Sequence, residues 1–284
     1  MIWIAGRQVN PSMLAAEWGL NDVQHETVQR MAASREIFEY PSADVLRFEL
    51  KLRDHLVQSS RALYMSGIAF SDFENSRSNP RYWEQTELGG FRLRPGVPPS
   101  EGIKDIFQNG RLYATECATA MVIILYHAVM QSIRLADFER LFADIVLYDW
   151  RYDKDLDLRT LPTNTILPGD IVYFANPDYD PQTPQWQGEN AVYLGDGLYY
   201  GHGAGIRPAS SMIPFLNEQR KRGATRSAYL VNQATRPGFA YLTPFDNGRS
   251  SFPYINRRDG FPYDQFEDMS GRIRAEIGSS YWED

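Results

Sequence analysis

Cys117 is the only cysteine of the chain, and it stands between a carboxylate and a long apolar run in YATECATAMVIILYHAV, residues 113–129. A thiol in the first turn of a helix lies at the positive end of the helix dipole, near free backbone N–H groups, and both lower its pKa. The resulting thiolate can attack a carbonyl carbon. The alternative is a small buried hydrophobe, the usual state of a free cysteine beside an apolar helix.

Three residues could serve as the acid/base partner that a cysteine nucleophile needs, namely Glu116, Glu189 and His202. The side chain of Glu116 can face the sulfur only if the helix begins at Cys117, and a carboxylate there could equally just stabilise the helix N-terminus. Glu189 and His202 flank a two-residue Asp-Gly turn, which predicts a β-hairpin with both residues at one end. A solvated strand-edge charge and a hydrogen-bonded structural histidine are the alternatives for this pair.

The elements that position these residues divide into helices first and strands later. Helices are predicted over 11–18, 25–34, 43–66 with Ser42 as N-cap and Gly67 as terminator, and from Cys117 to about Ile133. The last helix is apolar all round, so we expect it to be buried. Strands are predicted in DIVLYDWRY, DIVYFAN, ENAVYLG, LYYGHG and SAYLVNQATR, with a helix in IPFLNEQRKRGA that ends at Gly223.

Length and composition are those of an ordinary globular protein, with 284 residues of which 43% are hydrophobic. The net charge of −7 argues against nucleic acid or an anionic membrane as main partner, because both need clustered Lys and Arg. The N-terminus does not resemble a secretory signal, and the longest apolar run, 118–130, is shorter than the ~20 residues of a membrane span. A single cysteine fits a reducing compartment. We therefore expect a soluble protein that stays inside the cell.

The second half of the chain resembles the NlpC/P60 branch of papain-like cysteine hydrolases. In that branch a Cys opens a helix, PGD leads into a strand, and a strand of the type HVGIYLGNG carries the catalytic His. The corresponding strand here is ENAVYLGDG, with Glu189 at the position of the His. The resemblance implies an α+β fold with a papain-like core, in which a central buried helix packs on an antiparallel β-sheet, plus N-terminal helices. It also implies a Cys-Glu pair in place of Cys-His.

A denser resemblance, to the small transglutaminases of Bacillus spore coats, runs in order through residues 1–236. Its motifs here are ELKLR, DIFQNG, ECATAMVIILY, VLYDWRY, DPQTPQWQGEN, GHGAGI, SAYL and QATR. It implies a protein-glutamine γ-glutamyltransferase: a thiolate attacks a glutamine carboxamide, ammonia leaves, and a lysine amine resolves the thioester into an isopeptide bond. By the same resemblance Cys117 is the nucleophile, Glu189 its main acid/base partner and Glu116 a partial substitute.

This activity sets a physical demand on Glu189. A free Glu has a pKa of about 4.3 and a free thiol one of about 8.5, so Glu189 takes the proton only if burial raises its pKa. Trp150, Trp186 and Phe70 could supply that desolvation by lining an apolar substrate tunnel that also excludes water, although each could instead be a core residue. His202 is a supporting candidate that could orient a glutamate or tune the thiol.

No cofactor and no metal are implied. Residues from Asp178 to Glu189 have the acidic spacing of an EF-hand loop, but Thr183 stands where the sharp turn needs Gly, and strands flank the segment. The four histidines lack metal-ligand spacing, and the family that the chain resembles is calcium-independent.

The domain organisation and partners follow from the same resemblance. We predict one transglutaminase domain over 1–236, with a helical part (1–100) and a catalytic core (101–236), and a C-terminal extension over 237–284. Expected partners are proteins that donate Gln and Lys side chains, above all spore coat proteins, first in the cytoplasm of the mother cell and then in the coat. Two alternatives are a cysteine amidase or peptidase on the same scaffold and a structural coat protein with an idle site.

Overall fold

The structure is a computed structural model that describes residues 1–248 of the chain. Its helices are α1 (Pro11–Trp18), α2 (Asp22–Ala33), α3 (Ala43–Ser66), α4 (Pro99–Gln108), α5 (Cys117–Ser132), α6 (Leu135–Leu141), α7 (Ala209–Asn217) and α8 (Phe239–Leu242). Within this part of the chain, no helix is long and apolar enough to cross a membrane.

Short strands lead into the strand-rich second half. The first eight are β1 (Ile2–Ile4), β2 (Arg7–Gln8), β3 (Phe38–Tyr40), β4 (Ala69–Phe70), β5 (Trp83–Gln85), β6 (Phe91–Leu93), β7 (Ala114–Thr115) and β8 (Val146–Leu147). The remaining ones are β9 (Arg159–Pro162), β10 (Ile171–Ala175), β11 (Gly188–Gly195), β12 (Leu198–Gly201), β13 (Gly205–Pro208), β14 (Tyr229–Leu230) and β15 (Gln233–Arg236).

The main sheet is antiparallel and has the strand order β13-β12-β11-β10-β15-β9, with β14 also paired to β10. Helix α5 packs between this sheet, through β11, and the long helix α3. Because α5 is apolar on every face, nearly all of its side chains are buried in the main core. The mixed helix and sheet class is therefore confirmed, as is the burial of the central helix.

Helix α3 has the predicted boundaries. Ser42 is its N-cap residue in extended conformation, and Gly67 ends it with a φ of +82°, a left-handed conformation that favours glycine. Its buried side chains face two cores: Leu52 and Leu56 pack in the main core with α5, whereas Leu46 and Leu50 pack in a second core with residues of α1 and α2. Amphipathic spacing alone was enough to predict this helix.

Four predicted elements differ in extent from the structure. Helix α2 begins at Asp22 instead of His25, because Asn21 forms a capping box with Gln24, and the predicted strand SAYLVNQATR is divided into β14 and β15. Of DIVLYDWRY only β8 is a strand, because Asp149 adopts a φ of +49° and turns the chain out of extended conformation. The later helix, α7, starts earlier than predicted and ends at Asn217 instead of near Gly223. Asn217 Oδ1 accepts a hydrogen bond from the backbone N–H of Ala228 at 2.8 Å, and this contact ties the end of α7 to the loop that follows.

A buried ion cluster fastens α3 to the sheet. Arg53 is fully buried and donates to Asp170 at 2.7 Å and to Glu49 at 2.8 Å, while Arg236 donates to both oxygens of Asp170 at 2.8 and 2.7 Å. Burial alone would raise the pKa of Asp170, but the two guanidinium groups hold it below its usual value. Asp170 is thus a neutralised buried carboxylate.

Residues just after Arg236 continue the packed structure. Helix α8 packs on α3, and Leu242 is buried in the main core. Asp246 accepts a hydrogen bond from Lys51 at 2.8 Å. The rest of the predicted C-terminal extension, residues 249–284, lies outside the described residues, so the boundary at Arg236 stays a prediction.

Candidate active site

Cys117 is the first residue of α5, and Glu116 is the N-cap residue before it. The carboxylate of Glu116 accepts hydrogen bonds from the backbone N–H groups of Ala118 and Thr119, the latter at 2.8 Å. These are two of the N–H groups that a helix start leaves without intrahelical partners. The predicted start of the helix at Cys117 is confirmed, and the residue as a whole is partly exposed.

Asn190, which the sequence analysis missed, contacts the sulfur directly. Its side-chain amide donates from Nδ2 to Cys117 Sγ at 3.5 Å. The pleat of β11 explains this orientation: Val192 and Leu194 belong to the core that contains α5, whereas Ala191 and Tyr193 belong to the core on the other face. Asn190 has the same parity as Val192 and Leu194 and therefore faces α5.

The side chain of Glu189 projects from the face of β11 opposite to that of Asn190, and it is fully buried. Its Oε1 accepts a hydrogen bond from the backbone N–H of Gly203 at 3.1 Å, while Oε2 has no hydrogen-bond partner anywhere in 1–248. The carboxyl group lies over Gly201, where an added Cβ would be 2.6 Å from Oε1. The absence of a side chain at Gly201 thus creates the space that the glutamate fills.

Burial, with a smaller contribution from the nearby charge of Glu116, raises the pKa of Glu189 to about 8. The N–H of Gly203 and the charge of Arg207 act in the opposite direction without reversing the shift. The physical demand that the sequence analysis placed on Glu189, a carboxyl group able to hold a proton near neutral pH, is therefore met by its surroundings.

The thiol of Cys117 is also held in its neutral form. Burial, followed by the charges of Glu189 and Glu116, raises its pKa well above the ordinary value, and hydrogen bonds from Asn190 lower it only in part. The expectation that the helix N-terminus yields a low thiol pKa is wrong, because two carboxyl groups and desolvation outweigh the helix dipole. Formation of the thiolate therefore needs a local proton acceptor.

A third carboxyl group, that of Asp149, influences Glu116 through its charge. Burial raises the pKa of Asp149 to about 6, and burial together with the charge of Asp149 raises that of Glu116 to about 7, against the hydrogen bonds from Thr119 and Ala118. Asp149 is the residue whose φ of +49° ends β8. No sequence pattern indicated this carboxyl group, because its position depends on that unusual turn.

His202 lies beside Glu189 at the end of β12, as the hairpin predicted, but its ring nitrogens are occupied. They lie 3.1 Å from the hydroxyl of Tyr200 and 3.1 Å from the carbonyl oxygen of Ala69. Burial lowers the pKa of His202 to about 4, although the carbonyl groups of Ala69 and Thr115 favour the charged form. The ring is neutral and links β12 to β4.

The three predicted tunnel aromatics are divided between two places. Phe70 and Trp186 are in contact, with ring centroids 4.9 Å apart, and both rings pack against Gly203, where an added Cβ would lie 3.0 Å from Phe70 and 2.8 Å from Trp186. This pair covers the side of the site that holds Glu189. Trp150 follows Asp149 and packs against the core that contains α5.

No group of three or more His, Cys, Asp or Glu side chains that could hold a metal ion occurs among residues 1–248. Asp178, part of the rejected calcium-loop spacing, instead accepts hydrogen bonds from the backbone N–H groups of Thr225 and Arg226 and forms an ion pair with the Arg226 side chain at 2.7 Å.

Comparisons with known proteins show the family to which the chain belongs. The family model described as protein-glutamine gamma-glutamyltransferase matches residues 1–246. A protein-glutamine gamma-glutamyltransferase from Bacillus mycoides is 48% identical over 232 residues, 81% of this chain and 84% of that protein. One from Bacillus anthracis is 48% identical over 206 residues, 72% of this chain and 75% of that protein.

A solved structure is similar as well. It is a transglutaminase from Geobacillus stearothermophilus without its C-terminal extension, which is 54% identical, superposes with a TM-score of 0.71, and covers 73% of this chain and 99% of its own. Fold, sequence and the match over 1–246 all lead to one conclusion. The chain belongs to the protein-glutamine gamma-glutamyltransferase family.

Proposed function

We propose that this protein cross-links other proteins by transferring the γ-glutamyl group of a glutamine side chain to a lysine amine through a thioester on Cys117. The observation that carries the proposal is Glu189, a fully buried carboxyl group with one unpartnered oxygen within the described chain and a pKa raised to about 8, whose charge also raises the pKa of the Cys117 thiol. A carboxylate of that basicity can accept the thiol proton near neutral pH.

The reaction divides into two proton-balanced halves. In the first, the Sγ proton moves to Glu189, the thiolate attacks the carboxamide carbon, and Glu189 returns the proton to the nitrogen that leaves as ammonia. In the second, the lysine amine attacks the thioester carbonyl, Glu189 takes a proton from that amine, and Cys117 leaves as a thiolate that is reprotonated. The products are an isopeptide bond and a free thiol.

The other residues support this pair. We assign Glu116 the roles of helix cap and partial substitute for Glu189, since its pKa is raised to about 7. His202 is a positioning residue, because its ring holds β4, and with it Phe70, against the end of β12. Phe70 and Trp186 shield the thioester from water on the Glu189 side, and Trp150 borders the opposite side of the same substrate tunnel.

We further propose a papain-like core of the NlpC/P60 type and a role in spore coat assembly. The core proposal rests on a cysteine that opens a buried helix beside an antiparallel sheet. The coat proposal, with coat proteins as Gln and Lys donors and the mother cell as the site of synthesis, rests on the sequence motifs and on the Bacillus relatives. No cofactor takes part in the proposed steps.

The test is incorporation of a fluorescent primary amine into casein by the purified protein in EDTA, with Cys117→Ala as the matched control. We expect labelling by the wild type and none by Cys117→Ala. Release of ammonia without labelling would indicate the amidase alternative, and absence of both signals would indicate a structural protein with an idle site.

A further inference from the structure

Asn190 is the one side chain that donates a hydrogen bond to Cys117 Sγ within the described part of the chain, and half of its own amide is unused. Nδ2 lies 3.5 Å from the sulfur, whereas Oδ1 is buried and has no hydrogen-bond partner in residues 1–248. The residue is only 3% exposed. Since the oxygen and nitrogen of a carboxamide are about 2.2 Å apart, Oδ1 must lie within about 6 Å of the reacting sulfur.

The backbone fixes this amide firmly. Asn190 pairs with Tyr173 in a central strand that has neighbours on both sides, β10 and β12. The alternation that buries Val192 and Leu194 against α5 also aims Asn190 at the start of that helix. One strand therefore presents two different groups to the site, a carboxyl group from Glu189 and an amide from Asn190.

An acceptor that is buried without a partner is costly, and such groups in native proteins call for an explanation. Here the position suggests one. The carbon that Sγ attacks must approach to about 3–3.5 Å in a reactive complex, and in a carboxamide the nitrogen is bonded directly to that carbon at about 1.33 Å. The carboxamide nitrogen and Oδ1 would thus both lie within about 6 Å of Sγ, a separation that allows a hydrogen bond between them.

We propose that Asn190 is a further catalytic residue of the reaction proposed above, on which this inference rests: Nδ2–H stabilises the Cys117 thiolate, and Oδ1 accepts a hydrogen bond from an N–H of the carboxamide that the sulfur attacks. Asn190 exchanges no proton in either role. After ammonia leaves, the same oxygen accepts an N–H of the incoming amine. The amide thus selects a nitrogen substituent on the acyl carbon in both halves of the reaction.

Two substitutions separate the donor from the acceptor. Asn190→Asp keeps the shape and, in its ionised form, has acceptor oxygens without a donor, whereas Asn190→Ala removes both. Asn164→Asp and Asn164→Ala are the matched controls, because Asn164 is exposed. The melting temperature of each variant shows whether it folds. If Asn190→Ala does not fold, the near-isosteric Asn190→Asp still tests the donor. In that case Asn190→Ser takes the place of Asn190→Ala in the test of the acceptor.

The donor is tested by alkylation of Cys117 with iodoacetamide as a function of pH, which requires no glutaminyl transfer. We expect the midpoint to rise by at least half a pH unit in Asn190→Ala and by more in Asn190→Asp, whose carboxylate also repels the thiolate. A midpoint equal to that of the wild type in Asn190→Asp would overturn the role of the donor.

The acceptor is tested with two acyl donors, a short glutamine peptide and the same peptide with its γ-carboxamide replaced by a γ-methyl ester, which has no N–H. We expect Asn190→Ala to lower kcat/KM for both and to lower that for the carboxamide about tenfold more, as for one lost hydrogen bond. Asn190→Asp should change the ratio of the two substrates little. An unchanged ratio in Asn190→Ala would overturn the role of the acceptor.

The proposed function fails in a different way. A wild type that hydrolyses the ester but does not transfer the glutamine acyl group to an amine would contradict the transferase itself. The alkylation experiment would in that case still decide whether Asn190 stabilises the thiolate.

Discussion

Two carboxyl groups of this chain are fully buried on neighbouring strands of one sheet, yet their surroundings give them opposite properties. Asp170, just before β10, binds two guanidinium groups, which hold its pKa below the usual value. Glu189, near the start of β11, receives one backbone N–H and has its pKa raised to about 8. Both carboxyl groups are buried, so their hydrogen-bond and charge partners determine the direction in which each pKa is shifted. A neutralised carboxylate stabilises the fold, and an under-partnered one is available for proton transfer.

The largest effect is expected on activity when the carboxyl group of Glu189 is removed. Glu189→Gln keeps the volume and the acceptor for Gly203 but cannot take a proton, so kcat/KM for amine transfer should fall by about 10²–10⁴. Glu87→Gln, at an exposed position, is the matched control and should be as active as the wild type. Full activity in Glu189→Gln would remove Glu189 from the mechanism.

Substitution at Asp170 should produce a large effect on stability instead. Asp170→Asn leaves Arg53 buried without its main charge partner, and breaking a buried ion pair from one side costs about 3–5 kcal/mol. Urea denaturation measures this loss. Asp144→Asn breaks only an exposed pair with Arg92 at 3.7 Å, and its cost should stay below about 1 kcal/mol. Equal stability of the two variants would contradict the structural role of the cluster.

The two carboxyl groups should also give opposite dependences of stability on pH. The folded-state pKa of Glu189 is raised, so its contribution to stability is present below the unfolded pKa of about 4.3 and is lost as pH rises to about 8. Glu189→Gln should therefore gain about 2 kcal/mol or more over the wild type between pH 5 and pH 9. The pKa of Asp170 is lowered, so its contribution is lost as pH falls.

Chemical denaturation of both proteins at pH 5 and pH 9 measures the gain. A Glu189→Gln variant that is less active but more stable at high pH would show that the buried carboxyl group, which activity requires, lowers the stability of the fold. A gain that is the same at both pH values would mean that Glu189 is not buried as an uncompensated acid.

The smallest of these effects is expected at Glu116. Glu116→Gln keeps one acceptor for the N-terminus of α5 but removes a charge that raises the pKa of both Glu189 and Cys117. Activity should fall less than about tenfold, and the pH at which it rises should shift downward. A loss as large as that of Glu189→Gln would make Glu116 an equal partner in proton transfer instead of a partial substitute.

The sequence predicted well those features that depend on local pattern. Helix α5, helix α3 and the hairpin that brings Glu189 and His202 to one end follow from apolar spacing, capping residues and an Asp-Gly turn. Asn190 was not predicted, although the sequence contains a signal for it. The alternation of Val192 and Leu194 along the strand places Asn190 on the face that packs on α5.

Features that depend on the whole fold were not predictable in the same way. The left-handed conformation of Asp149 has no counterpart in the local sequence pattern, and the early end of α7 at Asn217 is tied to a contact with Ala228 in the following loop. The predicted direction of the Cys117 pKa shift was wrong. A helix N-terminus can be recognised in a sequence, whereas desolvation and the convergence of carboxyl groups appear only in three dimensions.

The most direct test of the claim that Glu189 is the base for Cys117 is the pH dependence of kcat/KM for amine transfer in the wild type and in Glu189→Gln. We predict that the wild-type value rises with pH and levels off near pH 8, and that Glu189→Gln is at least about 100-fold lower at pH 8 without that inflection. The same inflection in both proteins, with comparable rates, would contradict it.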